Sequence, residues 1–493
     1  MHHLIQDMGR NIVKQESPLE PGGRSRLWLR EDIIHVLEEN TALKKFEQLK
    51  EIKLNCCKFL EQVPDLSEVP NLTELHLDFC ENLIEIHDSV GFLDKLRVIS
   101  AKSCVNLKNF PRFMKLKSLE ILNLECCLSL KFFPEIVGKM GNLSHISLRK
   151  SAIEELPCSI ENVTRILHLD LSYCHKLSKV PPRILMSPVL ELLNVGESSR
   201  FGFMKKLGEQ EQVTLYHKRV WLRGCNFLDG FLPTFLGLSP NITELEICRC
   251  NFTILPECIQ VFKFLIHLNL DNCKQLQEIR GVPQNIKVFS ARNCTSLMPS
   301  ASNINIILDQ SIHSRGNTKF ILPGTWIPKW FDHFGKEACL SFWFRNELPE
   351  IAIFVIGGPN RNPQLLRFNC KVYVNGLLLM KRNHRDRSIV TPDIWNHDDG
   401  KLKTKHTYLR CKLNERPDEV YFPEDKWNHA KISFEIRELQ HFSPRGRNLV
   451  QQTGIYIYNR ARIERDILFT NPNLHLNPEP SKEQLKRKSQ LLD

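Results

Sequence analysis

A repeat of about 23 residues runs through the middle of the chain and follows the pattern L-x-x-L-x-L-x-x-C. A fixed period of this size predicts a leucine-rich-repeat solenoid, in which each copy adds one short strand to a parallel inner sheet. Such solenoids hold partners on their surface and seldom catalyse reactions, so we expect no enzymatic activity. Eleven copies fall between residues 46 and 300, starting near Leu49, Leu72, Leu96, Leu119, Leu143, Ile166, Leu190, His217, Ile242, Leu265 and Ile286.

The chain has seventeen cysteines, and their positions argue against disulfides or metal. Nine stand at the ninth place of a repeat: Cys57, Cys80, Cys104, Cys127, Cys174, Cys225, Cys250, Cys273 and Cys294. We interpret them as structural residues, because a small buried thiol at this place stacks on its neighbours and its S–H can meet a loop carbonyl. No zinc-like grouping stands out, so we expect no metal. A column of free thiols requires a reducing compartment, so we expect a protein of the cytoplasm or the nucleus.

Charge and hydropathy exclude two classes of partner. The net charge of +11 is modest for 493 residues and is not gathered into a basic stripe, so we expect no nucleic acid partner. The strongly apolar run Ile351–Ile356 is far too short to cross a bilayer, so we expect no membrane partner.

The repeats are flanked by different sequence at both ends. Residues 1–45 predict two short helices that form the end of a larger domain. Residues 318–460 predict an all-β antiparallel sandwich, with Asn375-Gly376 as the strongest hairpin signal. Residues 461–493 are polar and predict a disordered tail. The expected fold is therefore an α/β leucine-rich-repeat solenoid followed by a β-sandwich.

The outward positions of each repeat carry the candidate binding residues. Because side chains alternate across a strand, we expect the third, fifth, seventh and eighth places to face the concave side. Aromatic residues there are natural interface anchors, and we favour Phe79, Tyr173 and Trp221. The remaining candidates are Glu74, His76, Asp78, Arg149, Lys150, Asp170, Arg223, Glu246, Arg249, Asp271 and Arg292. The insertion at 196–219 is either a tolerated surface loop or a further contact with the partner.

Three segments resemble the plant intracellular immune receptors of the TIR–NB-ARC–LRR class. They are the MHD-like opening Met1-His2-His3 with Arg24-Ser25-Arg26-Leu27-Trp28, the repeats with cysteine at place nine, and Phe320–Gly324, Ile327–Phe331 and Leu340–Phe344. The resemblance implies that 318–460 is the post-repeat jelly-roll or Ig-like domain. It also implies that 1–45 is the winged-helix end of the NB-ARC module, where the MHD histidine lies against the phosphates of ADP.

The chain departs from that family in ways that affect function. His2 matches the MHD histidine, but His3 stands where the family has aspartate, and no G-x-x-x-x-G-K-[ST] phosphate loop occurs. We therefore treat Met1, His2 and His3 as a vestigial motif, with ADP or ATP bound only by a full-length family member. The TIR domain is missing as well, which suggests a truncated receptor or gene model that does not signal or oligomerise by itself.

The resemblance implies a defence receptor fragment whose concave face and sandwich bind a protein partner. That partner would be a pathogen effector or a guarded host protein. The alternative is a substrate adaptor of a ubiquitin ligase, whose repeats also favour cysteine. An adaptor calls for an F-box-like helical bundle upstream, and residues 1–45 are too short for one.

Overall fold

A computed structural model describes most of the repeats and much of the region that follows them. The described residues are 11–18, 24, 26–27, 48–297 and 302–472, with gaps in the last two ranges. The gaps in 48–297 are 182, 185–186, 188, 199, 201–217, 227–228, 230–231 and 234–240. The gaps in 302–472 are 315–316, 332, 358–365, 379–404, 412–421, 423–425, 439–449 and 459–465. The chain divides into two units, Met1–Gln284 and Asn285–Asp493. Among the described residues, no helix has the length and apolar character that crossing a membrane requires.

The first unit is built on a parallel sheet with one strand per repeat. Its described strands are Glu51–Lys53, Glu74–His76, Val98–Ser100, Ile121–Asn123, His145–Ser147, His168–Asp170, Leu192–Asn194, Lys218–Trp221, Ile242–Glu246 and His267–Asn269. The middle residues pair one to one from Ile52 through Leu75, Ile99, Leu122, Ile146, Leu169, Leu193, Val220 and Leu245 to Leu268. All are 2% exposed or less, so one apolar column forms the core behind the sheet. The register shifts between Lys218 and Arg219, next to this column. The predicted leucine-rich solenoid is confirmed.

On the side opposite the inner sheet, the described backbone forms two-residue strands and 3-10 helices. Two-residue parallel strands pair there, namely Gln62–Val63 with Glu85–Ile86, Phe113–Met114 with Glu135–Ile136, and Ile254–Leu255 with Glu278–Ile279. Three 3-10 helices also occur among the described residues, at Asp88–Phe92, Cys158–Asn162 and Glu257–Val261. Pro157 and Pro256 stand directly before the second and third, where the fixed φ of proline suits a helix start.

The cysteine column forms as expected. Seven of its thiols each donate a hydrogen bond to a carbonyl of the preceding coil, at 2.9–3.3 Å; Cys80 bonds Leu54, for example, and Cys273 bonds Ile247. The eight cysteines after the first are 1% exposed or less, and burial raises the pKa of Cys127 to about 12. Cys57 in the first coil is only half-buried. Ser198 occupies the ninth place of its repeat and donates to the Leu171 carbonyl in the same way, at 2.9 Å.

The eighth place of every repeat is a left-handed turn, which the sequence pattern did not indicate. The φ angles lie between 56° and 64° at Cys56, Phe79, Ser103, Cys126, Lys150, Tyr173, Glu197, Gly224, Arg249, Asn272 and Asn293. In this conformation the backbone N–H turns toward the next coil, as when Phe79 donates to the Lys102 carbonyl and Tyr173 to the Gly196 carbonyl, both at 2.7 Å. A row of inter-coil hydrogen bonds therefore offsets the cost of a positive φ.

The second unit is an antiparallel sandwich, as predicted. One sheet contains Thr318–Pro323, His406–Cys411, Ile351–Gly357, Val450–Ile457 and His333–Gly335. The other contains Leu377–Leu378, Leu366–Val374, Asn428–Glu438, Cys339–Phe344 and Ile467–Leu468. Buried residues from both sheets, including Phe342, Val355, Ile432, Phe434 and Ile455, pack between them as the core. The Asn375-Gly376 hairpin is present, with Asn375 and Gly376 both at positive φ.

The limits of the units differ from the expected ones in three places. Strand Val288–Ser290 of the last repeat pairs in parallel with Thr318–Pro323, so this coil groups with the sandwich and the division falls before residue 300. Ile467–Leu468 pair with Cys339–Phe344, although 461–493 was expected to be a disordered tail. Residues 11–16 are helical, but Arg26–Leu27 form a strand on Glu51–Lys53 where only helices were expected. Two short helices, Ser302–Ile307 and Gln310–His313, lie between the last coil and the sandwich.

Candidate functional site

The outward residues of the inner sheet form the candidate binding face. The third and fifth places of a repeat flank the buried middle residue of its strand, as Glu74 and His76 flank Leu75. The strands end at or near the fifth place, so the seventh and eighth places lie in the turn that follows. The expected face therefore consists of a sheet and a rim of turns along its carboxyl edge.

At the start of the face, charged side chains neutralise one another. His76 Nε2 lies 3.0 Å from Glu74 Oε2, and this hydrogen bond is the main cause that lowers the pKa of Glu74. Glu51 is buried beside them and is paired with the Lys53 ammonium. Ligand atoms of Glu51, Glu74 and His76 lie within 4.8 Å of one another, and Lys53 supplies the positive charge that this group needs.

Two of the expected contact residues hold turns together. Asp78 accepts hydrogen bonds from the Ser100 hydroxyl at 2.6 Å and from the Lys102 N–H at 2.9 Å, both in the next coil. Asp170 accepts from the N–H of Ser172 at 2.9 Å, an Asx turn two residues long. Their carboxylates therefore contribute to the frame of the face, whereas Phe79 beside Asp78 is 48% exposed.

Tyr173 forms the centre of the face with cations around it. The Arg149 guanidinium carbon lies 5.2 Å from the centre of its ring and the Lys150 ammonium 5.6 Å, within the range of cation–π attraction. His175 contacts the ring edge, with centroids 6.4 Å apart. The repeat therefore brings Arg149, Lys150 and Tyr173 together, as predicted from their places, although they come from two different coils.

Two histidines also meet on the sheet. The rings of His145 and His168 are edge to face with centroids 4.7 Å apart, and His168 Nε2 lies 3.5 Å from Glu191 Oε2. Partial desolvation, and then the neighbouring His168, lower the pKa of His145. Neighbouring coils therefore bring these two histidines into contact on the outward side of the sheet.

Toward the last repeats of the first unit, the face is more buried than expected. Arg223 stacks on Trp221, with its guanidinium carbon 4.8 Å from the ring, and pairs with Glu246. Glu246 is 6% exposed and Asp271 is 2% exposed, so neither offers a free carboxylate to a partner. Burial raises the pKa of Glu246, and Arg223 opposes that effect. The repeat pattern does not indicate this burial, because both residues stand at outward positions.

Some partners of the predicted residues were missed because they lie one or two coils away. Glu197 pairs with Arg249, and Glu125 pairs with Lys102 at 3.0 Å and lies 3.9 Å from Arg149. Their signal is a charge recurring at the seventh or eighth place, one or two periods apart. Arg292 lies in the second unit and is partly buried. Met1, His2 and His3 lie outside the described residues, as does most of the 196–219 insertion.

Comparison with known proteins shows what the repeats are similar to. Residues 113–309 match the family model of leucine-rich repeats of RPS4B-like disease resistance proteins. TMV resistance protein N of Nicotiana glutinosa is 29% identical over 418 residues, covering 57% of this chain and 36% of that protein. Disease resistance protein RPP2A of Arabidopsis thaliana is 36% identical over 138 residues, which cover 28% of this chain and 10% of that protein. Disease resistance protein RPP4 of the same plant is 34% identical over 230 residues, which cover 46% of this chain and 17% of that protein. The chain therefore spans a tenth to about a third of the length of these relatives.

Proposed function

We propose that the chain recognises a protein partner in plant defence, because residues 113–309 match the leucine-rich repeats of plant disease-resistance proteins. The partner is a pathogen effector, or a host protein that an effector modifies. The concave face of the repeats makes the contact, and the sandwich contributes to it.

The observation that carries the proposal is the continuous run of ten repeat strands in the parallel sheet of the first unit. At about 4.8 Å between neighbouring strands, its outward face is roughly 40 Å long. A face of this length matches the extent of a protein–protein interface of ordinary size. Phe79, Tyr173 and Trp221 are at least partly exposed along it, and aromatic residues contribute disproportionately to binding energy.

The chemistry of the face favours binding over catalysis. Its carboxylates and histidines are paired with neighbours or hold turns, as at Glu74 with His76 and at Asp78. We therefore propose a non-enzymatic role without a nucleotide or other cofactor. The buried thiol column supports a location in the cytoplasm or the nucleus, where thiols remain reduced.

Capture from infected plant tissue tests the proposal. Tagged chain is compared with the variant Phe79→Ala/Tyr173→Ala/Trp221→Ala, and Phe132→Ala serves as the control because its side chain is 69% exposed on a coil and lies off the inner strands. We expect a pathogen protein, or one host protein, to be retained by wild type and the control but lost with the triple variant. Retention by all three proteins would contradict the assigned face. Recovery of a cullin complex in place of a defence partner would favour the ubiquitin-ligase adaptor.

A further inference from the structure

A basic depression lies beside Tyr173 at the rim of the face. Its cavity of about 580 Å³ is lined by His175, Lys176, Ser178, Arg200 and Glu154. His175 joins the depression to the cluster on the sheet, because its ring contacts the Tyr173 ring. The depression and the cluster therefore form one continuous surface, which we call the basic rim: Arg149, Lys150, Tyr173, His175, Lys176 and Arg200.

The positive charge of the basic rim is largely uncompensated. Lys150, Lys176 and Arg200 make no ion pair with any residue that the structure describes. Arg149 has only Glu125, at 3.9 Å, and Glu125 is already paired with Lys102 at 3.0 Å. Glu154 is the single acidic residue among those that line the depression. Elsewhere on the first unit comparable cations are paired, as Arg97 is with Glu120 and Arg112 with Asp88.

One donor in the rim also lacks an acceptor. The Nε atom of Arg149 is buried and has no hydrogen-bond partner among the described residues, because 3.9 Å to Glu125 is too long for a hydrogen bond. Leaving a buried donor without an acceptor is unfavourable, so an oxygen acceptor that reaches this atom is favoured. The ring of Tyr173 next to it offers an apolar surface for the stem of a side chain.

We propose that the basic rim is the docking site for an acidic, extended segment of the protein partner. Carboxylates of that segment pair with Lys176 and Arg200 in the depression and reach Arg149 and Lys150 across the Tyr173 ring. The inference rests on the proposed function and gives the chemistry of the partner. Opposite charges at such a rim also speed the encounter of two proteins, an effect that salt weakens.

Fluorescence anisotropy of the full chain with a labelled twelve-residue Asp/Glu peptide tests the inference. The variant Lys176→Glu/Arg200→Glu is compared with Lys108→Glu/Lys139→Glu, which changes the net charge equally at exposed lysines away from the rim. We expect wild type to bind the peptide at physiological salt. We expect affinity to fall at least tenfold in the rim variant, about 1.4 kcal/mol, and to change little in the control. If circular dichroism reports that the rim variant is unfolded, Lys176→Gln/Arg200→Gln replaces it.

Three results would overturn the inference. They are no binding of the peptide at about 0.15 M salt, an equal loss in the control variant, and a tighter rim-dependent affinity for a twelve-nucleotide DNA strand than for the peptide. The last would identify a nucleic acid site. If the peptide does not bind at the rim, capture of a partner from plant tissue through Phe79 and Trp221 can still succeed. If no defence partner is captured, binding of the acidic peptide at the rim can still be measured.

Discussion

Substitution of Cys104 measures what the thiol column contributes. The side chain is fully buried, and its Sγ donates to the Leu77 carbonyl at 3.0 Å. Cys104→Ala removes one buried heavy atom of roughly methylene size, about 1 kcal/mol of transfer energy. It also removes one hydrogen bond, about 0.5–1.5 kcal/mol. The expected loss in the free energy of unfolding is therefore about 2 kcal/mol.

Cys104→Ser separates these two contributions. A hydroxyl can make the same bond, as Ser198 does to the Leu171 carbonyl at 2.9 Å, so we expect a loss of about 1 kcal/mol or less. Urea unfolding followed by circular dichroism gives both values, with Cys158→Ala at an exposed site as the control. A serine variant as unstable as the alanine variant would refute the reasoning. It would mean that the column works by apolar burial alone, since an unbonded buried hydroxyl is costly.

Three further predictions concern reactivity, packing and pH. Iodoacetamide at pH 8 should label Cys158 quickly and leave Cys127 unlabelled, because burial raises the pKa of Cys127 to about 12; equal labelling in mass spectra would contradict this. Gly91→Ala should destabilise the chain by about 1–3 kcal/mol, since its Cβ would lie 2.1 Å from the Phe113 carbonyl oxygen, whereas Gly141→Ala, with its nearest atom at 3.9 Å, should be nearly neutral in thermal melts. Burial lowers the pKa of His313 to about 4, so the unfolded chain binds more protons than the folded chain between pH 6.5 and 4, and the free energy of unfolding should fall by about 3 kcal/mol as the pH falls over that range. The variant His313→Gln should not show this loss, and an equal pH dependence of the two proteins in urea unfolding would refute the prediction.

The repeat pattern was enough to predict the core of the first unit, and the reason is physical. The apolar residue at the fourth place of each repeat can be buried only if it stacks on the fourth-place residues of the neighbouring coils. The spacing of these residues alone therefore sets the register of the strands from Ile52 to Leu268. The cysteines follow the same logic, because one carbonyl of the preceding coil stands opposite each thiol. Alternating apolar residues likewise located most strands of the sandwich.

The composition of the binding face was predictable only in part. Lys102 and Arg149 compete for the carboxylate of Glu125, which lies closer to Lys102. The sequence does not reveal this outcome, because it depends on side-chain distances between neighbouring coils. Asp170 is an outward residue by alternation, yet its carboxylate is used within its own turn. Strand Arg26–Leu27 was missed because two residues are too few to show a period.

The left-handed turns at the eighth place restrict how this face can be redesigned. A library that varies Phe79, Lys150 and Tyr173 should omit valine, isoleucine and threonine, since a branched Cβ fits a positive φ poorly. Asparagine and glycine carry the least strain there, and glycine already stands at Gly224. Changes of specificity at this column are therefore cheapest among unbranched side chains, whereas the extended backbone of the third and fifth places sets no such limit on a branched Cβ.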